Sequence, residues 1–280
     1  MNSVQVLCDV CPKFCRLREG QKGFCRSREN IGGVIVPINY GRCTSIALDP
    51  IEKKPLARFY PGSWILSYGS FGCNLRCPYC QNHQISMDDG SLPSREISPE
   101  SLCELALRLS KGPRGNLGVA FTYNEPLVCW EFVRDTSVLL HGNGLKSVAV
   151  TNGGITRKYA DQVLPHIDAL NIDLKGFTPA FYQYVKGEFE TVKDFIVAAV
   201  GYGCHVELTT LIIPTKNDSV EDMKREAEWI ASISEEIPLH LSRFFPRYKV
   251  DNLPMTPAET LYKLQETAQQ FLKYVYLGNI

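Results

Sequence analysis

Between residues 64 and 277, short apolar runs alternate with longer runs whose apolar residues recur every three or four positions. The short runs lie at 64–68, 117–122, 145–151, 169–174, 205–213 and 239–244, and their length and β-branched content predict buried strands. The longer runs at 98–109, 126–140, 191–200, 220–232 and 258–271 predict helices, with a shorter helix before residue 169. In the first of these, Leu102, Leu105, Ala106 and Leu109 share one face, Ser98 stands at the N-cap and Pro99 follows it. A last apolar run, 274–277, follows the final helix. Strand, crossover helix and parallel strand in repeated order predict an α/β fold, a parallel sheet with helices outside. Six repeats, short of the eight of a closed barrel, predict a partial (β/α)6 TIM-type barrel. A split, wider barrel leaves room for a bulky cofactor.

In such folds the polar residues at the C-terminal strand ends build the site. Here those ends carry Asn124 and Glu125, Asn152, Asp173 and Lys175, and then Lys216, Asn217 and Asp218. Residues 1–62 lack the alternation. They hold two short β-like runs, 33–36 and 45–48, and read as a small Cys-rich metal-binding segment ahead of a barrel at 63–280. The charged stretch 49–56 is either a solvated loop or part of the mouth of the site.

Composition narrows the class. With 280 residues, 44% hydrophobic and 21% charged, the chain suits one large globular domain with a small appendage. Zero formal net charge makes nucleic acid an unlikely partner class. The start has no positive region followed by a long apolar core, so no signal peptide is expected. No 18-residue apolar run exists, so no membrane partner is expected either. Eleven cysteines without a secretion signal place the protein in a reducing cytoplasm, as metal ligands rather than disulfides.

Cys73, Cys77 and Cys80 fall at C-x3-C-x2-C, three thiols able to share one small volume. A cubane of four irons takes four ligands. With three from the protein, one iron is left to bind a substrate or cofactor. The rival is a closed zinc site completed by His83. Cys8, Cys11, Cys15 and Cys25, spaced C-x2-C-x3-C-x9-C with Gly20 and Gly23 between the last two, predict a second site, either zinc or an auxiliary iron–sulfur cluster. Cys43 and Cys103 read as buried fillers, and His83, His141, His166 and His205 as structural. Asp173 and Lys175, at i and i+2 on a strand end, face one side and could clamp an ammonium and a carboxylate. The plainer reading is a surface ion pair. Asn124 and Glu125 could instead cap the helix that follows.

These residues carry a resemblance over nearly the whole chain. The Cys-rich N-terminus, the stretch at 49–56, Gly72 with the motif Cys73, Cys77, Tyr79 and Cys80, the stretch 122–126, Asp173-Leu-Lys175 and the stretch 274–279 are similar to radical S-adenosylmethionine (SAM) proteins of the pyruvate formate-lyase-activating-enzyme-like group. More closely, the chain resembles the radical SAM member of the AmmeMemoRadiSam system. The resemblance implies a [4Fe–4S] cluster on Cys73, Cys77 and Cys80, with SAM as cofactor. It implies Tyr79 against the adenine, Ile213 near it, and His240 near the ribose, a plain core or loop histidine being the other reading of His240. Asn124 and Glu125 stand where relatives carry a Gly-Gly-Glu element for the methionine amino group, Tyr123 and Asn124 replacing the glycines. Asp173 would hold the amino group and Lys175 the carboxylate, with Asn152 at the neighbouring strand end. It further implies reduction by an external donor of flavodoxin or ferredoxin type, cleavage of SAM to methionine and a 5′-deoxyadenosyl radical, and hydrogen abstraction from a substrate. That substrate is a glycine of a partner protein or, alternatively, a small molecule, lipid or RNA base. A zinc-dependent binding module is the distant alternative. Longer relatives continue past the position of Asn279 into a Cys-bearing tail, so a chain stopping at Ile280 is expected to lack that tail's role.

Overall fold

The computed structural model describes residues 5–280; the first four, where the reading of no signal peptide begins, lie outside the described residues. Two short antiparallel hairpins open the chain, β1 (Val6–Cys8) with β2 (Cys15–Leu17), then β3 (Arg28–Ile31) with β4 (Val34–Pro37). After β5 (Arg42–Cys43) come β6 (Ser45–Pro50), β7 (Trp64–Gly69), the single turn α1 (His83–Ser86), and β8 (Arg95–Glu96), which returns to pair with β5. The rest alternates: α2 (Pro99–Ser110), β9 (Gly118–Phe121), α3 (Trp130–Gly142), β10 (Lys146–Thr151), α4 (Arg157–Val163), β11 (Ala169–Asp173), α5 (Pro179–Tyr184), α6 (Phe189–Gly201), β12 (His205–Ile212), α7 (Val220–Ile233), β13 (Leu239–Arg243), α8 (Ala258–Ala268) and β14 (Val275–Gly278).

Strands β7, β9, β10, β11, β12, β13 and β14 form one parallel sheet in chain order, with β6 antiparallel on the β7 edge. The apolar run at 274–277 is therefore a seventh parallel strand, pairing Val275 with Leu239 and Leu277 with Leu241. Strands β6 and β14 are the two ends of the sheet and do not pair with each other, so the barrel is incomplete. Sheet residues such as Leu170, Ile172 and Leu208 are wholly buried beneath the helices. Each contributes about 1.5–3 kcal/mol through burial. Helix starts follow local chemistry: Ser98 accepts from the Ser101 amide ahead of α2, and Ser219 from Asp222 ahead of α7.

The stretch after β6 closes the N-terminal end of the barrel. Ile51 and Leu56 are fully buried against Ile65, Ala120, Val148 and Ala169 near the strand starts. Its charges divide: Glu52 and Lys53 are exposed to solvent, as a surface loop requires, Asp49 and Lys54 are buried, and none of the four lines the cleft. Lys54, 3% exposed, pairs with Asp49 at 3.0 Å, and Asp49 also accepts from Ser67 at 2.8 Å and from Tyr123 at 3.0 Å. Strand β6 thus extends the sheet from the N-terminal side of residue 62.

Candidate active site

The loop after β7 carries the C-x3-C-x2-C motif, and its path is set by backbone contacts. Gly72 adopts φ +89°, and a Cβ there would stand 2.8 Å from the Cys25 carbonyl and 2.7 Å from Ser27 Oγ, so only glycine fits. The Cys73 amide donates to the Cys25 carbonyl at 3.2 Å. Arg76 donates to the carbonyls of Cys73 (2.8 Å), Leu75 (2.7 Å) and Phe24, and its guanidinium lies 4.0 Å from the Phe24 ring centre. The Cys80 amide closes a turn onto Cys77 at 3.2 Å. Cys73, Cys77 and Cys80 all line a cleft of about 510 Å³ at the C-terminal end of the parallel strands.

The donor set suits a cluster with one open iron. Sulfur of Cys73 accepts from the Leu75 amide at 3.4 Å and from Asn152 Nδ2 at 3.7 Å, contacts that favour a thiolate. Burial pushes the Cys73 thiol well up and the Cys77 thiol up to about 11, while Lys175 pulls Cys77 back. A metal centre therefore has to displace protons on binding. Among the described residues, no three Cys, His, Asp or Glu side chains stand close enough together to hold a single metal ion. His83 does not complete the trio as a zinc ligand. It is absent from the cleft lining, its Nδ1 faces the Cys80 carbonyl at 3.2 Å, and its ring stacks on Tyr248 at 4.1 Å.

Asp173 and Lys175 meet in the same cleft at 2.8 Å. Burial opposes the charge of Lys175, but Asp173 and Cys77 hold it above the usual lysine range. The pair projects beside the cysteines and can present one charge of each sign to an amino acid group. Tyr79 is 6% exposed, lines the cleft, stacks on Tyr184 with centroids 6.4 Å apart and leaves its hydroxyl without a partner. A flat aromatic ligand could share that face. Asn152 lines the cleft and donates to Asn74 Oδ1 at 2.8 Å.

Asn124 and Glu125 reach the cleft, yet their polar atoms are engaged. Asn124 accepts from the Ser70 amide at 3.0 Å and donates to the carbonyls of Phe71 and Gly72 at 3.1 Å each, which makes it a clamp on the cysteine loop. Glu125 accepts from Thr151 (2.6 Å), the Leu127 amide (2.9 Å) and the Asn152 amide (2.7 Å), so it caps the following turn and braces the next strand end. Burial raises its carboxyl to about 7 against those three donors.

Two expected contacts lie elsewhere. Ile213 is fully buried, off the cleft, with its amide on Asn217 Oδ1 at 2.7 Å. His240 is also off the cleft; its Nε2 meets Glu207 at 2.6 Å. Glu207 accepts as well from His205 and the amides of Ala57 and Arg58, in the stretch that closes the N-terminal end. A histidine one residue into β13 belongs to that end, not to the C-terminal face. The residues of this strand and its sequel that do line the cleft are Ser242, Arg243, Phe244, Phe245 and Arg247. Strand-end position is the signal that could have found them, but the strand ends named from the sequence stop at Lys216, Asn217 and Asp218, which themselves stay off the cleft. Tyr123, at φ +73°, also lines the cleft while its hydroxyl reaches down to Asp49.

Comparison with known proteins agrees with this geometry. An uncharacterized protein of Methanocaldococcus jannaschii is 42% identical over 279 residues, covering 99% of this chain and 82% of the relative. The pyruvate formate-lyase-activating enzyme of Clostridium pasteurianum is 27% identical over 215 residues, 72% of this chain and 89% of that enzyme. Among solved structures, a radical SAM methyltransferase from Sphaerobacter thermophilus shares the fold at TM-score 0.60 and 14% identity, covering 78% of this chain and 67% of that one. The sequence profile of the radical SAM superfamily matches residues 68–230. With more than half of its length inside that profile, and the cysteine loop at the profile's start, the chain belongs to the radical SAM superfamily.

Proposed function

We propose that this protein is an activating enzyme that takes a hydrogen atom from a glycine of a partner protein. Bound in the cleft, a [4Fe–4S] cluster and SAM supply one-electron cleavage to methionine and a 5′-deoxyadenosyl radical. The chain's residues do the rest. Cys73, Cys77 and Cys80 hold the cluster; Lys175 and Asp173 receive the carboxylate and amino group of the methionine end. Tyr79 offers a face for the adenine, and Asn152 orients Cys73. Leu75, Phe244 and Phe245 give the cleft an apolar side that excludes water from a reactive radical. An external donor of flavodoxin or ferredoxin type delivers the electron.

The observation that carries the reading is the meeting of three thiols and the Asp173–Lys175 pair in one cleft at the C-terminal face. The choice of glycine rests on the likeness to the activating enzyme of C. pasteurianum over 72% of the chain. The test is anaerobic incubation with dithionite, SAM and soluble proteins from the source organism grown on α-deuterated glycine. Deuterium in the released 5′-deoxyadenosine, with a glycyl radical signal by electron paramagnetic resonance, is the expected result. Release of 5′-deoxyadenosine without deuterium refutes a glycine substrate.

A further inference from the structure

We propose that Arg243 and Arg247 form a carboxylate-binding subsite on the β13 side of the cleft, selecting a partner segment that carries an aspartate or glutamate side chain close to the reacting glycine. This subsite rests on the reading of a protein substrate and adds the chemistry that marks the segment. Cys8, Cys11, Cys15 and Cys25 line a separate small cavity and take no part in it.

The cleft has two sides. The cluster loop and the ends of β10 and β11 supply the three cysteines, Asn152, Asp173 and Lys175. The ends of β13 and β14 supply Ser242, Arg243, Arg247 and Asn279, side chains that neither the cluster nor SAM uses. The carboxylates of the lining are already engaged. Asp173 pairs with Lys175 at 2.8 Å, and Glu125 accepts from Thr151, Leu127 and Asn152. Among the described residues, neither Arg243 nor Arg247 has a carboxylate within ion-pair distance.

Arg243 is held from behind. Its Nε–H donates to the Thr256 carbonyl at 2.7 Å. Thr256 is wholly buried, its hydroxyl donates to the Ile212 carbonyl at 2.6 Å, and its amide donates to the Phe244 carbonyl at 3.1 Å. Those bonds tie the guanidinium to the end of β12. Nη1 and Nη2 of Arg243 donate to nothing among the described residues. A planar fork pinned at Nε, with both terminal nitrogens open, is set to take a carboxylate in bidentate fashion. Because the side chain is already fixed, little rotamer entropy is left to lose on binding.

Arg247 stands on a rim that is fastened to the cluster loop. The Arg247 amide donates to the Val250 carbonyl at 2.9 Å and the Val250 amide to the Arg247 carbonyl at 3.0 Å, which closes a tight turn. Within that turn the Lys249 amide donates to the Pro78 carbonyl at 2.9 Å, and the Tyr248 ring stacks on His83 at 4.1 Å. Pro78 lies between Cys77 and Cys80, so the strap that carries Arg247 is tied to the loop that carries the cluster ligands. Phe245, 41% exposed with its ring 5.6 Å from the Arg243 guanidinium, offers an incoming segment an apolar contact beside the charge.

Counting charges separates substrate from cofactor. Three cations line the cleft, Lys175, Arg243 and Arg247. The amino acid end of SAM has one carboxylate, and Lys175 beside Asp173 meets it together with the ammonium. Two positive charges are left on the opposite side. Acidic side chains are the anions that an ordinary protein segment carries, so a partner with aspartate or glutamate near its glycine matches them. A phosphate would meet the same fork, and the experiment separates the two.

The test is fluorescence anisotropy with anaerobically reconstituted, SAM-loaded protein that has not been reduced. The probes are short glycine-centred peptides, each with one aspartate at a different offset from the glycine, beside asparagine and phosphoserine counterparts. At one offset the aspartate peptide should bind at least about tenfold tighter than its asparagine counterpart, the worth of a charge-assisted bond. Equal binding of the two series, or binding of neither, overturns the subsite. A phosphoserine peptide that binds tighter than every aspartate peptide overturns the choice of carboxylate. Arg243→Gln should erase the preference for aspartate while the SAM dissociation constant stays unchanged. A matching loss of SAM affinity gives the arginine to the cofactor and overturns the assignment. Because Arg243→Gln also gives up the bond to Thr256, the exposed Arg247→Gln serves as a second variant, and it should reduce the preference several-fold; an undiminished preference removes Arg247 from the subsite. No hydrogen transfer occurs in this assay. Aspartate preference without deuterium transfer from glycine therefore faults the glycine reading alone, and deuterium transfer without aspartate preference faults the subsite alone.

Discussion

The amide of Cys73 donates to the carbonyl of Cys25 at 3.2 Å, so the first cysteine of the cluster loop hangs on the last cysteine of the N-terminal segment. Two motifs 48 positions apart are thereby one structural unit. The segment that precedes the barrel is part of the support of the site.

Gly72 is the tightest point of that junction. Replacing it with Ala sets a Cβ against Cys25 and Ser27 at a φ of +89°. The expected cost is about 1–3 kcal/mol, read as a Tm several degrees lower and reduced iron uptake. A melting curve that matches the native protein's would mean the loop relaxes freely.

Lys175→Ala removes one charge of the clamp while leaving all three cluster cysteines. A lost charge-assisted bond of about 1.5–3 kcal/mol weakens SAM binding by about ten- to a hundredfold. Equilibrium dialysis with labelled SAM, beside an iron assay, measures this. Unchanged affinity would remove Lys175 from the cofactor's contacts.

His240 should matter to stability and not to SAM. Its partner Glu207 is wholly buried; His205, His240 and two backbone amides outweigh burial and hold the carboxyl at about 2. Removing one hydrogen-bond partner of a buried group costs about 1–3 kcal/mol. His240→Ala should lower the denaturation midpoint with the SAM dissociation constant unchanged. A selective loss of SAM affinity at native stability would return His240 to the ribose.

Glu226 sets a pH dependence away from the site. It is 2% exposed on α7, accepts the Thr210 hydroxyl, and burial, aided by Asp222, pushes it up to about 8. Its carboxyl is near 4.5 without that burial. The folded state therefore holds the proton more tightly, and the associated stability is full below pH 4.5 and lost as pH rises toward 8. Each unit is worth about 1.4 kcal/mol. Between pH 5 and 8 the native protein should lose stability relative to Glu226→Gln, as followed by urea unfolding. Parallel pH curves would show that Glu226 ionises freely.

Much of this architecture was readable from periodicity. Apolar runs marked the strands, Ser98 and Pro99 marked the start of α2, and the cysteine spacing marked the loop. What escaped has physical causes. The strand Val275–Gly278 is short and lacks a following helix, so it did not register as a repeat. Asn124 and Glu125 are at the right strand end, but their partners are backbone groups of Ser70, Phe71 and Asn152, which no local pattern reveals. Within Leu239–Arg243, distance along the strand separates His240 at the closed end from Ser242 and Arg243 at the cleft. The family resemblance favoured the histidine; the rule of strand ends, applied to this strand, would have favoured the other two.

The most direct test of the account is the yield of 5′-deoxyadenosine from SAM after dithionite reduction, in anaerobically reconstituted native protein and in Cys77→Ala. The native chain should release 5′-deoxyadenosine and methionine together, and the variant, still folded, should release neither. Equal release from both, or none from a native chain fully loaded with iron and sulfide, would contradict the assignment of Cys73, Cys77 and Cys80 to the cluster.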